Sequence, residues 1–143
     1  MIIGAIIIIM VHLLFSVALF NNYIFAIFLV ICLGIGFSLV PSAMWPSVPK
    51  IIPERQLGTA YALIFWVQNW GLMLVPLLIG WVLDKFCITG TTELAGKVVT
   101  SYNYTIPMLI FTSFGVLALV FAFLLKAEDK KKGYGLEMPN IKK

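Results

Sequence analysis

Apolar residues in this chain fall into four long runs separated by short polar stretches, the pattern of helices that cross a membrane. The runs predict spans over residues 2–20, 23–45, 57–83 and 104–125. The third is the clearest. Leu57 to Leu83 carries no formal charge, and at about 1.5 Å per residue it makes a rod of about 40 Å. A bilayer's hydrocarbon core is about 30 Å thick, so a tilted helix of that length can cross it. Ile and Val recur in runs of about 20 residues, too long for strands and lacking the alternation of a membrane barrel.

The polar stretches set the connections. Asn21-Asn22 reads as a tight turn, since asparagine tolerates left-handed backbone and bonds locally. The first two spans are therefore expected to form an antiparallel hairpin. The proline-dense run Trp45-Pro46-Ser47-Val48-Pro49 is expected to end the second span, because proline lacks a backbone donor and restricts the residue before it. Residues 50–56 make a short polar loop with Pro53, Glu54 and Arg55. Residues 85–103 make a longer polar connection. Residues 1–126 thus form a transmembrane region. Residues 127–143, charged and containing Gly133, Gly135 and Pro139, are expected to be a disordered tail.

Charge gives the orientation. Lys50, Arg55, Lys126, Lys130, Lys131, Lys132, Lys142 and Lys143 fall on one side, and Lys85 and Lys97 on the other. That bias predicts a cytoplasmic middle loop and C-terminus, and with four crossings a cytoplasmic start of the first span.

Composition agrees. The chain is 62% hydrophobic and 11% charged, against about 25% charged in a soluble domain. The net charge of +4 is accounted for by lysines at helix ends and in the tail, so no nucleic-acid partner is expected. Cys32 and Cys87 form no CxxC and read as small apolar residues. The opening MIIGAIIIIMVHLLF has neither the basic n-region nor the cleavage site of a signal peptide. An apolar span beginning directly at Met1 is expected to continue a longer protein.

Polar and small residues inside the spans are the candidate functional positions. At 100° per residue, Gly58, Ala62, Asn69, Pro76 and Gly80 share one stripe of the third span. Small residues there suit helix packing and gating. Tyr61 and Gln68 lie on the adjacent flank, with Trp66, Trp70 and Trp81 away from it. Amides in hydrocarbon need protein or water around them, so Tyr61, Gln68 and Asn69 read either as interhelical hydrogen-bonding groups or as cavity lining. On the second span Gly34, Ser38, Ser42 and Trp45 share a face beside Pro41, which is expected to bend the helix and free a carbonyl. The serines could equally bond back to their own helix. His12 is the ionisable group deep in the first span, without a carboxylate partner in the spans. Asp84 reads as an interface residue. The sequence shows no nucleophile–base pair, paired carboxylates, metal spacing or phosphate loop, so neither an enzyme nor a metal or other cofactor is expected.

Trp45-Pro46, Pro53-Glu54, Gln56-Leu57-Gly58-Thr59-Ala60-Tyr61, Gln68-Asn69, Gly71-Leu72, Gly80 and Leu83-Asp84 occur in an order that carries a family resemblance. The chain resembles the C-terminal part of a major facilitator superfamily transporter, and more narrowly the lysosomal dipeptide transporter family and its bacterial relatives. That family's pattern WP…PE-x-QLGTAYG…QN-x-GL…G…LD is matched over roughly 40 residues, with Ala62 where glycine is frequent. The resemblance implies an all-α membrane protein whose four transmembrane helices are the ninth to twelfth of a twelve-helix bundle. It places the second and third spans beside a central cavity and the other two further out. It also implies alternating access and a multi-pass location in a lysosomal-type or bacterial inner membrane.

The function expected is secondary transport of a small organic solute such as a dipeptide. The substrate-binding or cavity-lining set would be Tyr61, Gln68, Asn69, Ser38, Ser42 and Trp45, with Pro41, Gly58, Ala62, Pro76 and Gly80 serving packing and gating. The partners would be the lipid bilayer, the remaining helices of the same transporter and a small-molecule or peptide substrate. The alternatives are a four-helix accessory or structural membrane protein without transport activity and, less well supported, a membrane-embedded enzyme.

Overall fold

A computed structural model describes residues 1–17, 23–94 and 96–139. It contains, in order, α1 (Ile2–Ser16), α2 (Tyr23–Met44), α3 (Val48–Ile51), α4 (Leu57–Phe86), β1 (Ile88–Leu94), β2 (Lys97–Tyr102) and α5 (Thr105–Lys132). Three helical stretches, Tyr23–Ile51, Glu54–Phe86 and Thr105–Lys132, are long and apolar enough to cross a membrane, and α1 is a shorter apolar helix. The expected Asn21-Asn22 turn and the end of the first span lie outside the described residues.

Packing centres on α1, which lies between α2 and α5. Its sequence provides two faces. Gly4 and Val11, seven residues apart, are buried on one, and Ala5, His12 and Ser16 on the other. On the first face, Gly4 meets Gly36 so closely that a Cβ on Gly4 would stand 3.0 Å from the Gly36 carbonyl oxygen and 3.0 Å from Val40 Cγ2. A Cβ on Gly36 would stand 2.9 Å from Ile8 Cγ1. Toward α5, a Cβ on Gly115 would stand 2.8 Å from Ile9 Cγ1. Glycine lets these backbones approach closely, and in lipid such van der Waals contact drives helix association. His12 is buried in the same layer, with its ring 5.4 Å from that of Phe111. Its Nδ1–H donates to the Ile8 carbonyl at 2.8 Å, which removes the penalty of an unpaired buried donor.

α2 closes at Met44, at the proline-dense run, but helical backbone goes on beyond it. Trp45–Ser47 tightens into one 3₁₀ turn and α3 continues to Ile51. Pro46 and Pro49 sit at first-turn positions, where a missing N–H costs little. The break comes at Ile52, held extended at φ −104°, ψ 132° by the following Pro53. Within α2 and α4 the helix also persists through Pro41 and Pro76.

The connection after α4 is an antiparallel hairpin with a bulge between Ile88 and Gly90. Its threonines and valines favour extended backbone, and Gly96 supplies a φ of +76° in the closing turn. Asn103 N–H donates to the Cys87 carbonyl at 2.7 Å and ties the ends together.

The tail is also ordered where described. Rather than stopping near Leu125, α5 continues to Lys132 and is capped by Gly133 at φ +69°. Helix-forming Lys, Ala and Glu residues and the Glu128–Lys132 pair at 2.8 Å support the extra turns. Residues 134–139 then fold back. Of the expected tail 127–143, residues 127–132 thus belong to α5, and residues 140–143 lie outside the described residues.

Candidate functional site

The third span stands apart from the α1–α2–α5 cluster. None of the apolar window of Glu54–Phe86 is buried within the chain, and α4 makes its contacts mainly near its ends. At its start, Trp45 stacks on Phe65 with centroids 5.0 Å apart and lies 5.7 Å from the Tyr61 ring. The Tyr61 hydroxyl donates to the Trp45 carbonyl at a long 3.4 Å. At its far end, the Tyr102 hydroxyl donates to Asp84 Oδ1 at 3.3 Å. Partial burial, and then the Asp84 charge and this bond, hold the Tyr102 phenol above its ordinary range. Between these ends an apolar cleft of about 520 Å³ separates α4 from α5, lined by Leu74, Val75, Leu77, Leu78, Trp81 and Phe114.

Trp45 and Tyr61 are the expected site residues that the structure brings into contact. Gln68 and Asn69 are exposed on α4, and Asn69 Nδ2 donates back to the Phe65 carbonyl at 2.9 Å. That leaves the Asn69 carbonyl and its second N–H for another partner. Ser38 and Ser42 are exposed on α2, and the Ser42 hydroxyl donates to the Ser38 carbonyl at 2.6 Å. Self-bonding, one of the two readings of these serines, is thus seen for Ser42. At 100° per residue Ser38 lies about 180° and Ser42 about 140° around the helix from the middle of the Gly36–Val40 packing face, pointing away from α1. Because α4 is not packed along α2, the serines do not face the amides within this chain.

The small residues divide in the same way. Gly34, Gly58, Gly71 and Gly80 have open space where a Cβ would project, and Ala62 and Pro76 are exposed. Close helix contact falls instead on Gly4, Gly36 and Gly115, which the sequence reading did not select. Phe65 was also missed, although its i,i+4 spacing from Tyr61 puts both rings on one face of α4, where both meet Trp45.

The human lysosomal dipeptide transporter MFSD1 (Homo sapiens) is 36% identical over 75 residues, covering 52% of this chain and 15% of the relative. The mouse protein (Mus musculus) is 47% identical over 53 residues, covering 37% and 11%. The chicken protein (Gallus gallus) is 44% identical over 52 residues, covering 36% and 12%. Over half its length, this chain resembles the lysosomal dipeptide transporters. The matches span about one-seventh or less of those relatives' own length. No protein-family model matches the chain, and no solved structure does. The resemblance to lysosomal dipeptide transporters and the membrane-length helices together make this an integral membrane protein of the all-α class, carrying one small hairpin.

Proposed function

We propose that this chain supplies the ninth to twelfth helices of a secondary transporter, with α2 and α4 bordering the substrate path. The observation that carries this reading is the flank of α4 with half-buried Tyr61 and exposed Gln68 and Asn69, on a membrane-length helix whose apolar window the chain leaves uncovered. Polar amides at that depth are stable only against protein or water, so a neighbouring cavity or helix is required. Gln68 offers both a donor and an acceptor, and Asn69 retains both beyond its helix bond, a combination suited to a peptide backbone. Similarity to the lysosomal dipeptide transporters supports dipeptides as cargo.

Mechanistically, the Trp45–Tyr61–Phe65 contact joins the two path-bordering helices at one end. Rocking about that aromatic junction would expose the amides in one state and cover them in another, as alternating access requires. Ser38, Ser42 and Trp45 would form the second wall. Gly58, Ala62, Pro76 and Gly80 would accept helices of the rest of the bundle, and Pro41 would let α2 bend. The Lys50 end would face the cytoplasm.

Uptake of labelled dipeptides by the full-length protein, normalised to surface expression, tests the site. Gln68→Leu and Asn69→Leu are each expected to raise KM about tenfold, the loss of roughly one hydrogen bond at the substrate. Normal uptake and KM in both variants would assign these amides to helix packing instead.

A further inference from the structure

The folded-back segment Gly133–Met138 makes bonds that neither helix packing nor the proposed substrate path uses. Lys50 Nζ, on α3 in the connection between α2 and α4, donates to the carbonyls of Gly135, at 2.8 Å, and Met138. These partners lie 85 and 88 residues away in sequence. The Asp129 carboxylate receives the Leu136 N–H, at 3.2 Å to Oδ1. Lys126 pairs with Glu137 at 2.8 Å. Gly133 and Gly135 both adopt φ +69°, a left-handed conformation that disfavours other residues. Beneath the segment lies a cavity of about 430 Å³, bounded by Met1–Ile3, Ala43, Ser47, Ala122 and Leu125, with Leu136 and Glu137 on its rim.

We propose that Lys50 and the Gly133–Met138 segment form a releasable latch across this end of the bundle. Closed, it fastens the connection between α2 and α4 to the end of α5. Released, it lets that connection, and with it the start of α4, move away from α5. The chemistry suits release. A cation held by neutral carbonyls at an accessible surface exchanges them for water at modest cost, unlike a buried ion pair. Both carbonyls are backbone groups, so the turn geometry set by the glycines, rather than the identity of neighbouring side chains, presents them. The latch is a conformational property in its own right; its use in opening a transport path rests on the reading given above.

Spin labels on exposed Arg55 and Lys131, in the full-length protein in lipid nanodiscs, report the distance between the two fastened parts. The unmodified protein is expected to show one dominant distance. Lys50→Met removes the donor, and Gly135→Val disrupts the turn while leaving the lysine in place. Each is expected to raise the separated population about tenfold, as loss of one charge-assisted bond would. A second label pair on Met10 and Phe121 should be unchanged in both variants, showing that the α1–α5 packing is intact. Unaltered Arg55–Lys131 distances in both variants, with that control satisfied, would overturn the latch. Altered distances with unchanged dipeptide uptake would keep the latch and count against its role in transport.

Discussion

At the scale of single residues, the structure separates two kinds of glycine that look alike in sequence. Gly36 lies against Ile7 and Ile8, whereas Gly34, one turn-half away, faces open space. Gly36→Val should therefore force α1 from α2 and destabilise the pair by about 1–3 kcal/mol, the usual cost of overpacking. Gly34→Val should fit within this chain. Thermal unfolding of the two variants in the same detergent checks the contrast: equal midpoints would contradict the packing. Composition marks both residues as small but does not say which faces a helix. That depends on the rotation of α2 about its axis, and the weak difference between its faces leaves that rotation to tertiary contact. That Tyr61 and Phe65 share one face of α4 follows from their spacing, whereas their common ring partner Trp45 depends on how the chain turns between α2 and α4.

At the scale of elements, hydropathy located the membrane-length helices because burial in lipid acts on whole runs of residues. It did not locate the hairpin. Its strands carry no continuous buried face, so the alternation that signals a half-buried sheet is absent. Hydropathy also stopped α5 too early, because it follows lipid exposure and the helix continues in charged residues by propensity and pairing. The hairpin makes a pH prediction. The Tyr102 phenol is held above its ordinary range, so its protonated form is favoured in the folded state. Its contribution is full below about pH 10, where an unfolded tyrosine is still protonated, and is lost as pH rises through the higher folded value. Asp84→Asn should lower the Tyr102 midpoint in an ultraviolet titration, though not abolish the shift, since burial is the larger cause. An unchanged midpoint would mean the Asp84 contact is unimportant in solution.

At the scale of the molecule, Met1, Ser47 and Leu136 line one cavity, so the chain start, the connection between α2 and α4 and the returning segment meet at one end. The hairpin joins α4 and α5 at the other. This is the alternation expected of helices crossing a bilayer, and in the orientation proposed above the shared end would be cytoplasmic. A membrane-impermeant thiol reagent added outside intact cells should label Thr92→Cys and leave Glu137→Cys unreacted until the cells are opened. The reverse pattern would invert the protein. The order of spans was readable from sequence. The separation of α4 was not, since that depends on which contacts the chain can make with itself.

α4 behaves mechanically as a beam pinned near its tips, by Trp45 at one end and by the hairpin at the other, with its length unsupported between. Such a beam flexes most near its middle, and this one carries Pro76 within its span. The ring denies the Leu72 carbonyl its usual helical donor, so one link in the ladder is missing where flexure can use it. Gln68 and Asn69 lie between the pins, whereas Tyr61 sits at one of them. A small swing of the middle can therefore carry Gln68 and Asn69 sideways while both anchors hold, and the helix can change what its centre faces without leaving its neighbours.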